Sequence, residues 1–289
     1  MFILKKIKIA IKYFFLGKLN LSRNFKKKNK LRFTVHAADH CNLNCQNCDH
    51  FSPLASERYL DLHAYEQDCA RLSKLEYDFG GNKIDEIRIA GGEPLLHPGI
   101  DEIIRITREY FIDCDIDIIT NGILLLKMTQ KFWDICAKCN TKIQVTKYPV
   151  SINYEQIKSL AMKNNVRLEF YGNSAIIKTS YHLPLDLDGK QNKKMMFAIC
   201  SMANNCIQME EGYIYTCSPP LTIKYFNKYF DENIQMTEND RINIYNVKTI
   251  DEILEFCRKP IPFCRYCDKL RMTSGIKWAV SKKNISEWI

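Results

Sequence analysis

Cys41-Asn42-Leu43-Asn44-Cys45-Gln46-Asn47-Cys48 is the stretch from which the rest of the chain is read. Three thiols at the spacing Cys-x3-Cys-x2-Cys fall between a β-rich run and a helical one. A structural zinc site closes with four protein ligands, commonly as two close pairs, so an odd-numbered set suits it poorly. Three thiolates on a cubic four-iron cluster leave one iron without a protein ligand, and that iron is open to a cofactor. A partial zinc site and chance crowding among thirteen cysteines are the alternatives that the spacing alone leaves open.

Two further pieces stand at strand ends downstream. Gly91-Gly92-Glu93-Pro94 follows the strand-like run Ile84 to Ala90, and Thr120-Asn121-Gly122 follows Ile116 to Ile119. Taken in this order, the three pieces resemble the radical S-adenosylmethionine (SAM) superfamily over about residues 31 to 185. The resemblance implies a [4Fe-4S] cluster on Cys41, Cys45 and Cys48, with SAM on its open iron. It also implies that Gly91, Gly92, Glu93 and Pro94 receive the methionine amino group of SAM, with Asn121 nearby. Thr146, at the end of the fourth strand, resembles the hydroxyl residue that members place near the SAM ribose; a β-branched residue suited to a strand is the alternative. Many members carry an aromatic residue before the third cysteine. This chain has Asn47, which leaves Phe51 as a substitute for the adenine contact. His50 either faces the substrate pocket or serves as a structural hydrogen-bond partner.

Between Leu31 and Tyr171 strand-like runs alternate with helical ones, the strands at Arg32 to Ala38, Lys83 to Ala90, Asp115 to Ile119, Thr141 to Lys147 and Val166 to Tyr171. Strands separated by helices predict right-handed βαβ units and a parallel sheet whose ligands bind at the strand C-terminal ends. The expected class is therefore α/β. The pattern alone does not separate a barrel from an open doubly wound sheet; the resemblance implies a partial, open (β/α)6 radical SAM barrel.

The organisation outside that core follows from charge and cysteines. Residues 1–32 carry eleven basic residues and no acidic one, so the whole-chain balance of +9 turns slightly negative once this arm is set aside. Ile3, Ile7, Ile11 and Phe14 gather on one helical face and Lys5, Lys8 and Lys12 on another. Residues 1–30 are thus expected as a basic amphipathic arm, either peripheral on an anionic membrane or packed on the core. Lysines interrupt the apolar runs of this segment, so no secretory leader is read there. With a slightly acidic body and no recognised motif, no nucleic-acid partner is expected. Thiols held by metal suit a reducing cytoplasm.

Beyond a polar link at Asp186 to Lys194, residues 186–289 hold Cys200, Cys206, Cys217, Cys257, Cys264 and Cys267. Cys200 and Cys217 flank a hairpin-like Gly212 to Thr216, and Cys264-x2-Cys267 closes the set. Four thiolates satisfy all four irons of a second [4Fe-4S] cluster, or make a structural Zn(Cys)4 site. The pattern resembles the small cysteine-rich twitch domain related to SPASM, which implies the auxiliary cluster. Cys206 and Cys257 are left as alternative ligands or catalytic thiols. Cys69, Cys114, Cys136 and Cys139 read as structural.

The family chemistry is reductive SAM cleavage to a 5′-deoxyadenosyl radical that takes a hydrogen atom from an unactivated carbon, with an external flavodoxin- or ferredoxin-type reductant. The segments Cys48 to Leu54 and Phe263 to Asp268 are similar to radical SAM proteins encoded with bacterial surface-polysaccharide genes, implying oxidation or epimerisation of a carbohydrate-type substrate. Peptide modification, a non-catalytic iron-sulfur electron carrier, and a glycyl-radical activase are the alternatives. The auxiliary cysteine set speaks against the last.

Overall fold

The computed structural model describes residues 30–78, 81, 83–171 and 178–289. The expected amphipathic arm falls on residues 1–29 and lies outside them. No helix of the described residues is long and apolar enough to cross a membrane.

Strands β1 (Leu31–Ala38), β2 (Ile84–Gly91), β3 (Asp115–Thr120), β4 (Lys142–Val145) and β5 (Arg167–Phe170) alternate with helices α1 (Leu62–Asp78), α2 (Ile100–Tyr110), α3 (Gln130–Lys138) and α4 (Tyr154–Lys163). Each adjacent strand pair from β1 to β5 is parallel. Period-two patterning sets the two faces of this sheet. Leu31, Phe33, Val35 and Ala37 of β1 are wholly buried under the helices, while Thr34 and His36 point to the other side. The helices match that layer: α2 buries Ile100, Ile103, Ile104 and Thr107 at helical spacing and places Asp101 and Glu102 in its first turn.

A sixth parallel strand lies beyond residues 31–185. It is β7 (Ile207–Glu210), and it joins the β1 edge, not the β5 edge. Glu211 and Gly212, both at positive φ, make the two-residue turn into antiparallel β8 (Tyr213–Tyr215), beside which β9 (Arg241–Asn243) lies. The resulting order is β5-β4-β3-β2-β1-β7-β8-β9, an open sheet. Strand β6 (Thr179–His182), next in the chain after β5, pairs with β10 (Thr273–Lys277) in a separate two-stranded sheet.

The boundary expected at residue 186 is crossed by both sheet and core. Helix α7 (Ile250–Cys257), held at its start by a Thr249–Glu252 capping box, buries Ile250, Ile253 and Leu254 in the first core. Arg71 of α1 donates to the carbonyls of Ile244 and Val247 at 3.0 and 2.6 Å. A second core around Phe226, Phe263 and Trp288 joins helix α6 (Ser218–Phe230) and the chain's last residues to the loop that follows Cys48. Helix α5 (Lys193–Ala198) leads into Cys200.

Candidate active site

The cysteine loop starts where β1 ends and is shaped by asparagine. Asn44 and Asn47 take positive φ, 50° and 59°, a region that asparagine enters at less cost than most residues. This accounts for Asn47 where an aromatic residue was expected. The amide of Leu43 lies 3.4 Å from Cys41 Sγ, and Trp278 Nε1 donates to Cys45 Sγ at 3.1 Å. The chain's C-terminal stretch also clamps the loop through its backbone: Gln46 donates to Ala279 at 2.9 Å and Ser281 to Asn44 at 2.7 Å. Burial pushes the Cys41 thiol up to about 11 and the Cys48 thiol up to about 12. At Cys45 burial also raises the value, against hydrogen bonds from Trp278 and Tyr148. Desolvated free thiols of this kind are poor nucleophiles. Three of them on one loop, with donors aimed at their sulfurs, suit metal-bound thiolates.

The three motifs, distant in sequence, converge here. The amide of Gly92 donates to Ala38 at 2.7 Å and that of Glu93 to His40 at 3.1 Å, so the end of β2 is laced onto the end of β1. Only glycine fits: a Cβ on Gly91, at φ 121°, would stand 2.3 Å from the Ala38 carbonyl oxygen, and one on Gly92 would stand 2.2 Å from that of His40. Glu93, buried at 1% exposure, accepts from the Thr120 hydroxyl at 2.6 Å and from the amides of Asn121 and Leu95 at 2.9 and 3.2 Å. Asn121 Nδ2 donates to Asn42 at 2.7 Å and lies 3.9 Å from Cys41 Sγ. His50 donates from Nδ1 to the Gly91 carbonyl at 3.0 Å and stacks on His36. The structural alternative for His50 is thus the one on view. Pro94 opens a short 3-10 turn after Glu93.

Burial, opposed by its three donors, raises the Glu93 carboxyl to about 7. A carboxyl raised above its unfolded value of 4.5 contributes stability that is fully present below that value and is lost as pH rises through about 7. Without SAM, the parent chain should lose about 1–2 kcal/mol more stability between pH 5 and pH 8 than Glu93→Gln does, read from urea midpoints. Equal pH slopes for the two proteins would contradict this.

Thr146 stands one residue past β4, part-buried, its amide bonded to the Thr120 carbonyl at 3.0 Å. Phe51 departs from the expected adenine contact. It is 2% exposed and its ring packs in the second core, 5.6 Å from that of Phe226 and 6.1 Å from that of Trp288. Residues that motif reading missed line the cavity of about 110 Å³ beside the loop: Tyr148, Lys178, Tyr181 and Trp278, with Cys45 and Cys48. Tyr148 and Trp278 meet edge to face at 5.8 Å. They lie in no recognisable motif, so only tertiary structure brings them to the loop.

The C-terminal thiols also converge. Cys200, Cys217, Cys264 and Cys267 line one cavity, together with Lys269. Cys217 directly precedes α6, and Cys264 and Cys267 lie in and just after the 3-10 turn Pro262–Tyr266. Burial and the neighbouring thiols raise Cys217, and burial chiefly raises Cys264 and Cys267, each to about 12. Among the described residues no three His, Cys, Asp or Glu side chains are grouped so as to hold a metal ion. Cys257 ends α7 inside the first core at 0% exposure and does not line the four-thiol cavity, so it is not open to substrate. Cys206 is part-exposed and lies near Arg88 and Tyr181, on the side of the first cavity. Cys69, Cys114, Cys136 and Cys139 are buried, as expected.

No protein-family model matches the chain. It is 37% identical over 109 residues to a GTP 3′,8-cyclase of Aliarcobacter butzleri, 38% of this chain and 32% of that one. A GTP 3′,8-cyclase of Helicobacter pylori is 23% identical over 261 residues, 84% of this chain and 77% of that one. The chain thus spans about a third of the length of the first-named relative. Among solved structures, BtrN in complex with AdoMet and 2-DOIA is similar at 17% identity and a TM-score of 0.49, over 83% of this chain and 94% of that one. The relatives found by sequence are named as enzymes, and this chain places its three-cysteine loop and its two strand-end motifs on an open, mostly parallel α/β sheet.

Proposed function

We propose that the chain is a radical SAM enzyme that oxidises a carbon of a small, hydroxyl-rich, carbohydrate-type substrate. The observation that carries this is the meeting of Cys41, Glu93 and Asn121 at the strand ends, beside a second cavity lined by four thiols. Cys41, Cys45 and Cys48 would hold the SAM-binding [4Fe-4S] cluster, and Cys200, Cys217, Cys264 and Cys267 the auxiliary one of a twitch-like segment. When bound, these groups supply one-electron chemistry: a SAM-derived carbon radical that takes a hydrogen atom, and an acceptor for the electron the substrate then sheds. An external flavodoxin- or ferredoxin-type reductant and a cytoplasmic setting complete the reading.

The chain's own residues do the positioning. Gly91 to Pro94 offer the strand edge for the methionine end of SAM, Asn121 ties that edge to the cysteine loop, and Trp278 and Tyr148 screen the cluster from water. The sheet face opposite the first core supports the substrate class. His36 Nε2, Asp117 Oδ1 and Gln208 Oε1 are buried there with no protein hydrogen-bond partner among the described residues. Buried polar atoms left unmatched by protein suit substrate hydroxyls. Two cations on this face are paired with carboxylates, Arg88 with Glu86 at 2.6 Å and Lys142 with Asp117 at 2.9 Å.

Epimerisation is the second reading, favoured by Cys206 near the first cavity, because a thiol gives a hydrogen atom readily to a carbon radical. The test runs the reaction in deuterated water with Cys206→Ala alongside. A product oxidised by two electrons, free of solvent deuterium and formed by both proteins, supports oxidation; one deuterium at an inverted carbon, lost in the variant, supports epimerisation.

A further inference from the structure

We propose that Lys269 is a positioning residue for electron transfer: its buried ammonium favours the reduced form of the iron-sulfur cluster held by Cys200, Cys217, Cys264 and Cys267. This rests on the two-cluster reading above.

Lys269 leaves the Cys264-x2-Cys267 turn on a backbone that is fixed on both sides. The Cys267 amide donates to Cys264 at 3.4 Å, Cys267 bridges to Leu185, and the Asp268 amide donates to Pro184 at 2.9 Å. The adjacent carboxylate is taken: Asp268 accepts from Arg271 Nε at 2.6 Å. The Lys269 side chain turns inward and is only 6% exposed. Its surroundings are sulfur. It lines the cavity bordered by Cys200, Cys217, Cys264 and Cys267, and its ammonium stands 3.6 Å from Met202 Sδ.

A buried ammonium among neutral sulfurs is costly, and chains place methionine or leucine in such a space unless an anion compensates. Four thiolates on a metal centre are that anion. Zinc and oxidised iron-sulfur centres would both be compensated, but only the iron centre gains a further negative charge in use. One electron enters, no bond is made or broken, and Lys269 keeps its proton throughout. The fixed positive charge lowers the free energy of the more negative, reduced state, which raises the reduction potential. That direction suits a centre that takes an electron from a substrate.

The test uses the anaerobically reconstituted Cys41→Ala/Cys45→Ala/Cys48→Ala chain, in which the auxiliary centre stands alone, and follows its reduction by EPR against poised mediators. With Lys269→Met the reduced-to-oxidised ratio at a fixed poise should fall at least tenfold, a midpoint lower by about 59 mV for a one-electron couple. Lys269→Arg, which keeps the charge, should stay near the parent value, and iron content should match in all three. Lys269→Gln serves where the methionine variant loses iron. Iron-replete neutral variants with the parent's midpoint overturn the inference. A triple variant that binds zinc, or no iron, overturns the two-cluster reading and this inference with it.

Discussion

Replacing Cys41, Cys45 and Cys48 together by alanine should lower the iron of the reconstituted chain from about eight to about four per molecule and abolish SAM cleavage. The reason is geometric. The three thiols share one loop, distinct from the cavity lined by Cys200, Cys217, Cys264 and Cys267. The two donor sets draw on different elements, so emptying one should leave the other loaded. Iron and sulfide analysis, with EPR of the reduced protein, reads the outcome. Complete loss of iron in the triple variant, or stoichiometric zinc in place of the second four irons, would mean that the donor sets are not the two independent centres described.

Gly92→Ala has the second largest expected effect, and it acts through backbone alone. The new Cβ would stand 2.2 Å from the His40 carbonyl oxygen and 2.7 Å from that of Asp39. Neither is the flexible end of a side chain. Relief requires parting the ends of β1 and β2, where the Gly92 and Glu93 amides are bonded across. A loss of about 3 kcal/mol or more is expected, read as a shift of the urea midpoint, together with loss of SAM binding because Glu93 and Asn121 leave the cysteine loop. A variant as stable as the parent and still binding SAM would contradict the close approach. Gly91→Ala meets the Ala38 carbonyl in the same way and adds strain at φ 121°.

Much of this architecture was legible in the chain. Alternating apolar runs located β1 to β5 and α1 to α4, because period two and period 3.6 patterns are local. Both cysteine sets and the two strand-end motifs were readable for the same reason: each is a short segment whose spacing is its message. What was not legible is where segments go after a turn. Glu211-Gly212 announces a hairpin, yet nothing local says that β7 adds to the β1 edge instead of following β5, since edge choice is decided by long-range packing. Phe51 reads as an aromatic beside a cofactor loop, and only the second core, built by Phe226 and Trp288 far along the chain, claims it. Cys257 sits among the C-terminal thiols in sequence, but its helix turns it into the first core. Trp278 and Lys269 have no motif at all; their meaning lies in the sulfurs they face.

The central claim, that this site binds SAM on an open iron and cleaves it, is tested most directly by one measurement: 5′-deoxyadenosine formed from SAM by the reconstituted, chemically reduced chain, quantified by chromatography and mass spectrometry. The account predicts 5′-deoxyadenosine and methionine in equal amounts from the parent chain and neither from Cys41→Ala/Cys45→Ala/Cys48→Ala. An iron-replete, fully reduced parent chain that yields none would contradict it and leave an iron-sulfur electron carrier in its place.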